Sequence, residues 1–143
     1  MTLWSKVIGT GGYLPETIRT NHDISQLVDT SDSWIYERTG IKSRHIAAAD
    51  ETASSMAEHA ARQAIAMAGI DAEQIDMIIV ASGTPDRVYP STACLVQQRL
   101  GIKNCVGFDI QAACSGSVYG MSIADQYIKT GFAKTVLVIG AEI

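Results

Sequence analysis

Cys114 is the residue with the clearest chemical opportunity. It lies in Phe108-Asp-Ile-Gln-Ala-Ala-Cys-Ser-Gly-Ser-Val-Tyr-Gly120, where an apolar strand pattern ends near Ile110 and a long helical pattern starts at Ser115. A sulfur at such a junction faces unsatisfied N–H groups and the positive end of the helix macrodipole. That setting favours the thiolate, the nucleophilic form of the side chain. Ala112, Ala113, Ser115 and Gly116 are all small. A substrate carbonyl can therefore reach the sulfur, and backbone N–H groups are free to hold an oxyanion. The plainer reading of the same residue is a small buried hydrophobe, the commonest place of a free thiol. The residues alone leave both readings open. Cys94 falls inside a helical pattern and Cys105 at a strand start, and each carries only the plainer reading.

A nucleophilic cysteine needs a base or an electrostatic partner. His59 shares an amphipathic helical stretch with Glu58 and Arg62 and reads as part of a solvated face. His22 falls in the first turn of a short helix, and His45 in a polar stretch beside Arg44. None of the three sits at a strand's C-terminal end, where open α/β sheets build their sites.

Trp34 and Arg38 lie four residues apart in Thr30-Ser-Asp-Ser-Trp-Ile-Tyr-Glu-Arg-Thr-Gly-Ile41. On a helix they share a face. An indole and a guanidinium so placed can sandwich a flat ring or bind phosphate. They can equally form a surface cation–π pair. Gly9-Thr-Gly-Gly12 after an apolar stretch invites comparison with a dinucleotide fingerprint, but the third glycine would fall at Leu14, and Pro15 follows. No long helix begins there to aim its N-terminus at a pyrophosphate, so this function is set aside.

The elements that must position these residues alternate. Val7–Gly12 reads as a strand entering a glycine turn. Asn21 and Ser31 are N-cap types before short helices over His22–Val28 and Asp32–Arg38. Lys42–Ala47 is extended. Thr52–Ala68 is helical, with Met56, Ala60, Ala64 and Met67 on one face and Gly69 as its C-terminal stop. Asp76–Ala81 is a continuous apolar run, the mark of a strand buried on both faces. A loop over Thr84–Pro90 precedes a helix capped by Ser91. Cys105–Ile110 is a strand, Ser115–Thr130 a helix and Lys134–Ala141 a last strand. Ser117, Gly120 and Ala124 give that last helix a small face suited to close backbone contact. Five strands separated by helices predict right-handed crossovers and a doubly wound sheet.

The 143 residues amount to one domain by length. Eleven Lys+Arg against fifteen Asp+Glu leave a net charge of −4 with no basic run, which excludes a nucleic-acid partner. The longest apolar stretches are far shorter than the roughly 20 residues of a membrane span, and the N-terminus lacks the zones of a signal peptide. Three cysteines without close pairing argue against disulfides and a four-thiolate zinc site, and fit a reducing cytoplasm. Charged residues make up 18%, below the usual value of about 25%, which fits either a tightly buried α/β domain or a surface partly covered by another domain or subunit. The last residues, Gly140-Ala-Glu-Ile143, follow directly on an apolar strand, and this pattern predicts a truncated chain.

Taken in order, Gly9-Thr-Gly-Gly-Tyr-Leu-Pro15, Asp29-Thr-Ser-Asp-Ser-Trp-Ile35, Arg38-Thr-Gly-Ile41, Arg44-His-Ile46, the alanine-rich helix through Ala68-Gly69 and Ala112-Ala-Cys-Ser-Gly116 resemble the beta-ketoacyl-acyl carrier protein synthase III family. Each motif is weak by itself, but the ordered set spans essentially the whole chain. The resemblance implies an α/β, thiolase-like fold, residues 1–143 forming an N-terminal half with a mixed, mostly parallel five-stranded sheet flanked by helices. It implies that Cys114 takes an acetyl group from acetyl-CoA and passes it to the carbanion of malonyl-acyl carrier protein. Trp34 and Arg38 would hold the CoA adenine and phosphates, with Thr30 nearby. Tyr89 would reach across a homodimer interface into the partner's acyl pocket. The family usually has phenylalanine there, so primer length stays open. The thioesters are substrates, and no cofactor or metal is implied. The family's catalytic histidine and asparagine belong to a second half, and His22, His45 and His59 match neither. The chain by itself is therefore expected to be inactive. Two alternatives remain: a related condensing enzyme with another acyl-CoA starter, and a non-catalytic α/β module that binds an anionic ligand or a protein.

Overall fold

Met77-Ile-Ile-Val-Ala81 buries every one of its residues, and the fold is built outward from it. The computed structural model describes residues 4–143. In chain order the elements are β1 (Thr17–Thr20), α1 (Asn21–Ser25), α2 (Asp32–Thr39), β2 (Ser43–Ile46), α3 (Ala53–Ala68), β3 (Met77–Ala81), α4 (Thr92–Leu100), β4 (Val106–Ile110), α5 (Gly116–Lys129) and β5 (Val136–Gly140). Two compact units result: residues 4–13 with 52–143, and residues 14–51.

In the larger unit β3 is the central strand of a parallel sheet ordered β4-β3-β5. Alternation along β3 sends Ile78 and Val80 into one apolar cluster, completed by Ala53, Ala57 and Ala61 of α3 and Ala93 and Val96 of α4. Met77 and Ile79 enter a second cluster with Ala124 of α5. Helices thus cover both faces of the sheet, which is why β3 reads as unbroken apolar sequence. In the smaller unit β1 and β2 form an antiparallel pair, Thr17 opposite Ile46 and Thr20 opposite Ser43.

The α/β class holds, with one difference in arrangement. The five strands divide into two sheets instead of forming one. The expected strand at Val7–Gly12 is not formed. Those residues are extended without a ladder, and the fifth strand is Thr17–Thr20, just after Pro15. The glycines there serve a different purpose from the one their spacing suggests. A Cβ on Gly9 would land on the carbonyl oxygen of Ala64, and one on Gly11 on the carbonyl oxygen of Ala60. The segment lies directly on the backbone of α3. Of the face expected to carry Met56, Ala60, Ala64 and Met67, only Met56 is buried in the core. Ala53, Ala57 and Ala61 face the sheet, whereas Ala60 and Ala64 take the glycine segment and Met67 receives the Thr10 N–H on its sulfur at 3.3 Å. Between this segment and the outer edge of β5 runs a groove of about 470 Å³, walled by Val7–Gly11 and Val136–Gly140.

Carboxylates hold the loop ends. Asp76 accepts from the Lys134 and Thr135 N–H groups at 2.7 and 2.9 Å, tying the start of β3 to that of β5. Glu142 accepts from the Gly83 N–H and the Thr84 hydroxyl at 2.8 and 2.9 Å, tying the opposite ends. Asp109 on β4 accepts from the Thr92 and Ala93 N–H groups at 2.7 and 2.8 Å, so β4 supplies a second cap to α4 beside Ser91.

Asp86 does the same for α3, accepting from the Ser54 N–H and hydroxyl at 2.8 and 2.6 Å. Burial works against its charge. The Ser54 side chain and backbone, with help from Thr52, outweigh this and hold the carboxyl below its ordinary value of 3.8. The folded state thus favours the carboxylate. Its stabilisation is present in full above that ordinary value and is lost as pH falls through the lower, folded one. Asp86→Ala is expected to cost about 1 kcal/mol at neutral pH, the usual worth of an N-cap. Urea midpoints of wild type and variant should converge as the pH is taken below the carboxylate range. A gap that stays constant in acid would remove the charge from the account.

Candidate active site

β4 ends at Ile110, and the chain must turn sharply to start α5 at Gly116. Ala112 leaves the extended region (φ −149°, ψ 23°), and Ala113 adopts φ +44°. A positive φ is rare for a residue with a Cβ and costs of the order of 1–3 kcal/mol. It falls immediately before Cys114, in a single 3₁₀ turn over Ala113–Ser115 closed by the Ser115 N–H on the Ala112 carbonyl at 3.0 Å. Cys114 is exposed at this turn, at the opening of α5. No side chain caps α5, whereas α2, α3 and α4 are capped by Ser31, Thr52 and Ser91. Within these 143 residues Cys114 is thus presented at the surface of the turn and does not pack into the core.

The start of α5 can come this close to the sheet only because its residues are small. A Cβ on Gly116 would stand 2.8 Å from the Ala81 Cβ, and one on Gly120 2.8 Å from Cγ1 of Val138. The buried stripe is Gly116, Gly120 and Ala124, while Ser117 lies at the exposed edge, against Gly140.

The strained turn gives a direct prediction. Ala113→Val puts a β-branched residue at positive φ and is expected to destabilise the chain by about 1–3 kcal/mol and to slow alkylation of Cys114. Ala113→Gly accepts that φ freely and is expected to keep both near wild type. Denaturant midpoints and the iodoacetamide labelling rate read the two effects. Equal behaviour of valine and glycine would show that the turn imposes nothing.

Cys94 and Cys105 are both half-buried. The Cys94 sulfur accepts from the Ser91 hydroxyl at 3.2 Å. Burial pushes the Cys105 thiol up, with Cys94 and Glu73 adding to the effect. His59 stacks on Tyr13, ring centroids 4.8 Å apart. Tyr89 projects from the 83–90 loop and is 85% exposed beside exposed Val88.

Thr30, Trp34 and Arg38 belong to the smaller unit. The Arg38 guanidinium lies 5.0 Å from the centroid of the Trp34 ring, so the helical spacing does bring the pair face to face. The Thr30 hydroxyl, just before the helix, is buried without a partner. His45 meets the Pro15 carbonyl through Nδ1. Asn21, expected as an N-cap, is instead the buried first residue of α1, and Thr20 is the cap. The capping box Thr20-x-x-Asp23 was the available signal for this shift. Among the described residues no group of three or more His, Cys, Asp or Glu side chains could hold a metal, and no helix is long and apolar enough to cross a membrane.

Comparison with known proteins gives one consistent answer. The family model described as 3-oxoacyl-[acyl-carrier-protein] synthase III matches residues 108–143, the stretch that holds the cysteine turn. The beta-ketoacyl-[acyl-carrier-protein] synthase III of Methylococcus capsulatus is 61% identical over all 143 residues, which cover 44% of that protein. The crystal structure of the 3-oxoacyl-[acyl-carrier-protein] synthase III from Aquifex aeolicus superposes with a TM-score of 0.93 at 55% identity, over 96% of this chain and 44% of that one. A priming beta-ketosynthase from a polyketide biosynthetic pathway superposes with a TM-score of 0.94 at 36% identity, over 99% and 42%. The fold is accordingly thiolase-like, and the chain spans less than half the length of the relatives it matches.

Proposed function

We propose that this chain, which belongs to the beta-ketoacyl-acyl carrier protein synthase III family over the stretch it spans, supplies the nucleophile and the CoA-binding helix of a condensing enzyme. The strained, uncapped turn that exposes Cys114 at the opening of α5 is the observation that carries this reading.

The chemistry runs in two steps. The Cys114 thiolate attacks the acetyl carbonyl carbon of acetyl-CoA, the carbon–sulfur bond to CoA breaks, and CoA leaves as its thiolate. The tetrahedral oxyanion between these events needs backbone donors near the sulfur, and the open N-terminus of α5 is the element beside it. Malonyl-acyl carrier protein then loses carbon dioxide. The carbanion attacks the acetyl carbon, Cys114 leaves as thiolate, and acetoacetyl-acyl carrier protein results. Trp34 and Arg38 would take the adenine and phosphates, with the buried Thr30 hydroxyl beside them. Tyr89, exposed on its loop, would meet the partner in a homodimer and bound its acyl pocket. The enzyme would act in the cytoplasm, without a cofactor.

Residues 1–143 would then be an N-terminal half domain. The family's histidine and asparagine fall in the other half, so the chain alone is expected to condense little or nothing. The decisive experiment incubates the full-length enzyme with acetyl-CoA and maps the acetyl group by peptide mass spectrometry. Label on Cys114 supports the reading, and label on another residue overturns it. An unmodified, unreactive Cys114 would favour the non-catalytic module. Likeness to a priming ketosynthase at 36% identity keeps a second starter open, and competition among acyl-CoA primers separates the two.

A further inference from the structure

α2 carries both Trp34 and Arg38 and yet buries none of its residues. Only Ile35 is half-buried on this helix, so apolar packing within its unit is slight and polar ties carry more of its placement. Ser31 caps its first turn, accepting from the Trp34 N–H at 3.1 Å. The remaining ties converge on one side chain. Asn21 is 1% exposed. Its Nδ2 donates to Asp32 Oδ1 at 2.8 Å, in the first turn of α2, and to the Ile41 carbonyl at 2.7 Å, just past the Gly40 that ends the helix. Its Oδ1 accepts from Arg44 Nη2 at 2.8 Å, and Arg44 Nη1 donates to the Arg19 carbonyl at 3.2 Å. The Asn21 backbone N–H donates to the Lys42 carbonyl at 3.2 Å. Both amide donors and the amide oxygen are used, and the two donors reach opposite ends of one helix.

We propose that Asn21 is a positioning residue: its buried amide brackets α2 at both ends, ties it to the β1–β2 pair through Arg44, and so fixes where the Trp34 indole and the Arg38 guanidinium stand. The part of this inference that concerns ligand rests on the reading of α2 as the CoA-binding helix, and the bracket itself does not. Aspartate at position 21 keeps the size and the partner for Arg44. It loses both donors and sets a second carboxylate against Asp32. Exchanging the pair, Asn21→Asp with Asp32→Asn, restores that hydrogen bond with its direction reversed.

The test uses the full-length protein with every tryptophan other than Trp34 replaced by phenylalanine, Trp4 included. Hydrogen–deuterium exchange is read without ligand over residues 32–39 and 53–68, and coenzyme A is titrated by Trp34 fluorescence. Asn21→Ala and Asn21→Asp are expected to speed exchange in 32–39 by about tenfold while leaving 53–68 unchanged, and to weaken coenzyme A by a similar factor. The exchanged pair should recover part of both and not all, because the Ile41 carbonyl stays without its donor. Unchanged exchange in 32–39, equal acceleration in both segments, or a double variant no better than Asn21→Asp would each overturn the bracket. If coenzyme A does not bind, or binds regardless of Trp34→Ala and Arg38→Ala, the CoA reading fails, and the exchange data still decide the bracket.

Discussion

On the proposed condensing chemistry, Cys114→Ala is expected to remove acyl transfer from acetyl-CoA in the full-length protein, a loss of several orders of magnitude, as for the nucleophile of any tightly coupled catalytic unit. The size of the effect follows from the covalent step, since without the sulfur there is no atom to hold the acetyl group between the two half-reactions. Neither other cysteine of these 143 residues can stand in. Cys94 and Cys105 are both half-buried, and burial holds the Cys105 thiol in its neutral form. Cys94→Ala and Cys105→Ala should accordingly retain transfer. The readout is an intact-mass gain of one acetyl group after brief exposure to acetyl-CoA. Acetylation that survives Cys114→Ala would place the nucleophile elsewhere.

Gly11→Ala is expected to give the largest loss of stability among the glycine-to-alanine changes of this chain. The new Cβ would fall on the Ala60 carbonyl oxygen, with the Ala64 nitrogen 2.7 Å away, so the obstacle is helix backbone that cannot rotate aside. Overpacking of this kind costs about 3 kcal/mol at the upper end of its usual range, a large share of a domain's total of about 5–15 kcal/mol. Gly12→Ala is the control. Nothing lies within 4 Å of its added Cβ, and its midpoint in urea should stay near wild type. Should the two substitutions shift the midpoint equally, close approach to α3 is not what the glycine serves.

The contrast between these neighbouring glycines shows where sequence pattern stops being informative. Gly9-Thr-Gly-Gly12 is visible as a cluster, but only the path of α3 beneath it tells which members are indispensable. β3, α3, α4 and α5 were legible because their signals are local: an unbroken apolar run, a serine or threonine before each of α3 and α4, a glycine after. The Cys114 turn was legible for the same reason, as a junction of two local patterns among small residues. Thr17–Thr20 was not, since four residues after a proline become a strand only through pairing with Ser43–Ile46. The carboxylate ties of Asp76, Asp86, Asp109 and Glu142 were equally hidden. Each joins residues far apart in sequence, and nothing in a short window distinguishes them from solvated acids. Asn21 was placed one residue off because asparagine is a good cap in general, while its burial here answers to Asp32, Ile41 and Arg44.

The outer edge of β5 and the channel beside it affect how these 143 residues behave on their own in bulk. Peptide groups along a bare ladder are adhesive toward any extended chain, and here two walls align the newcomer and shelter its bonds from water. Turbidity of these 143 residues on their own is therefore expected to rise with loading and to yield to a short peptide that fills the channel sooner than to added salt.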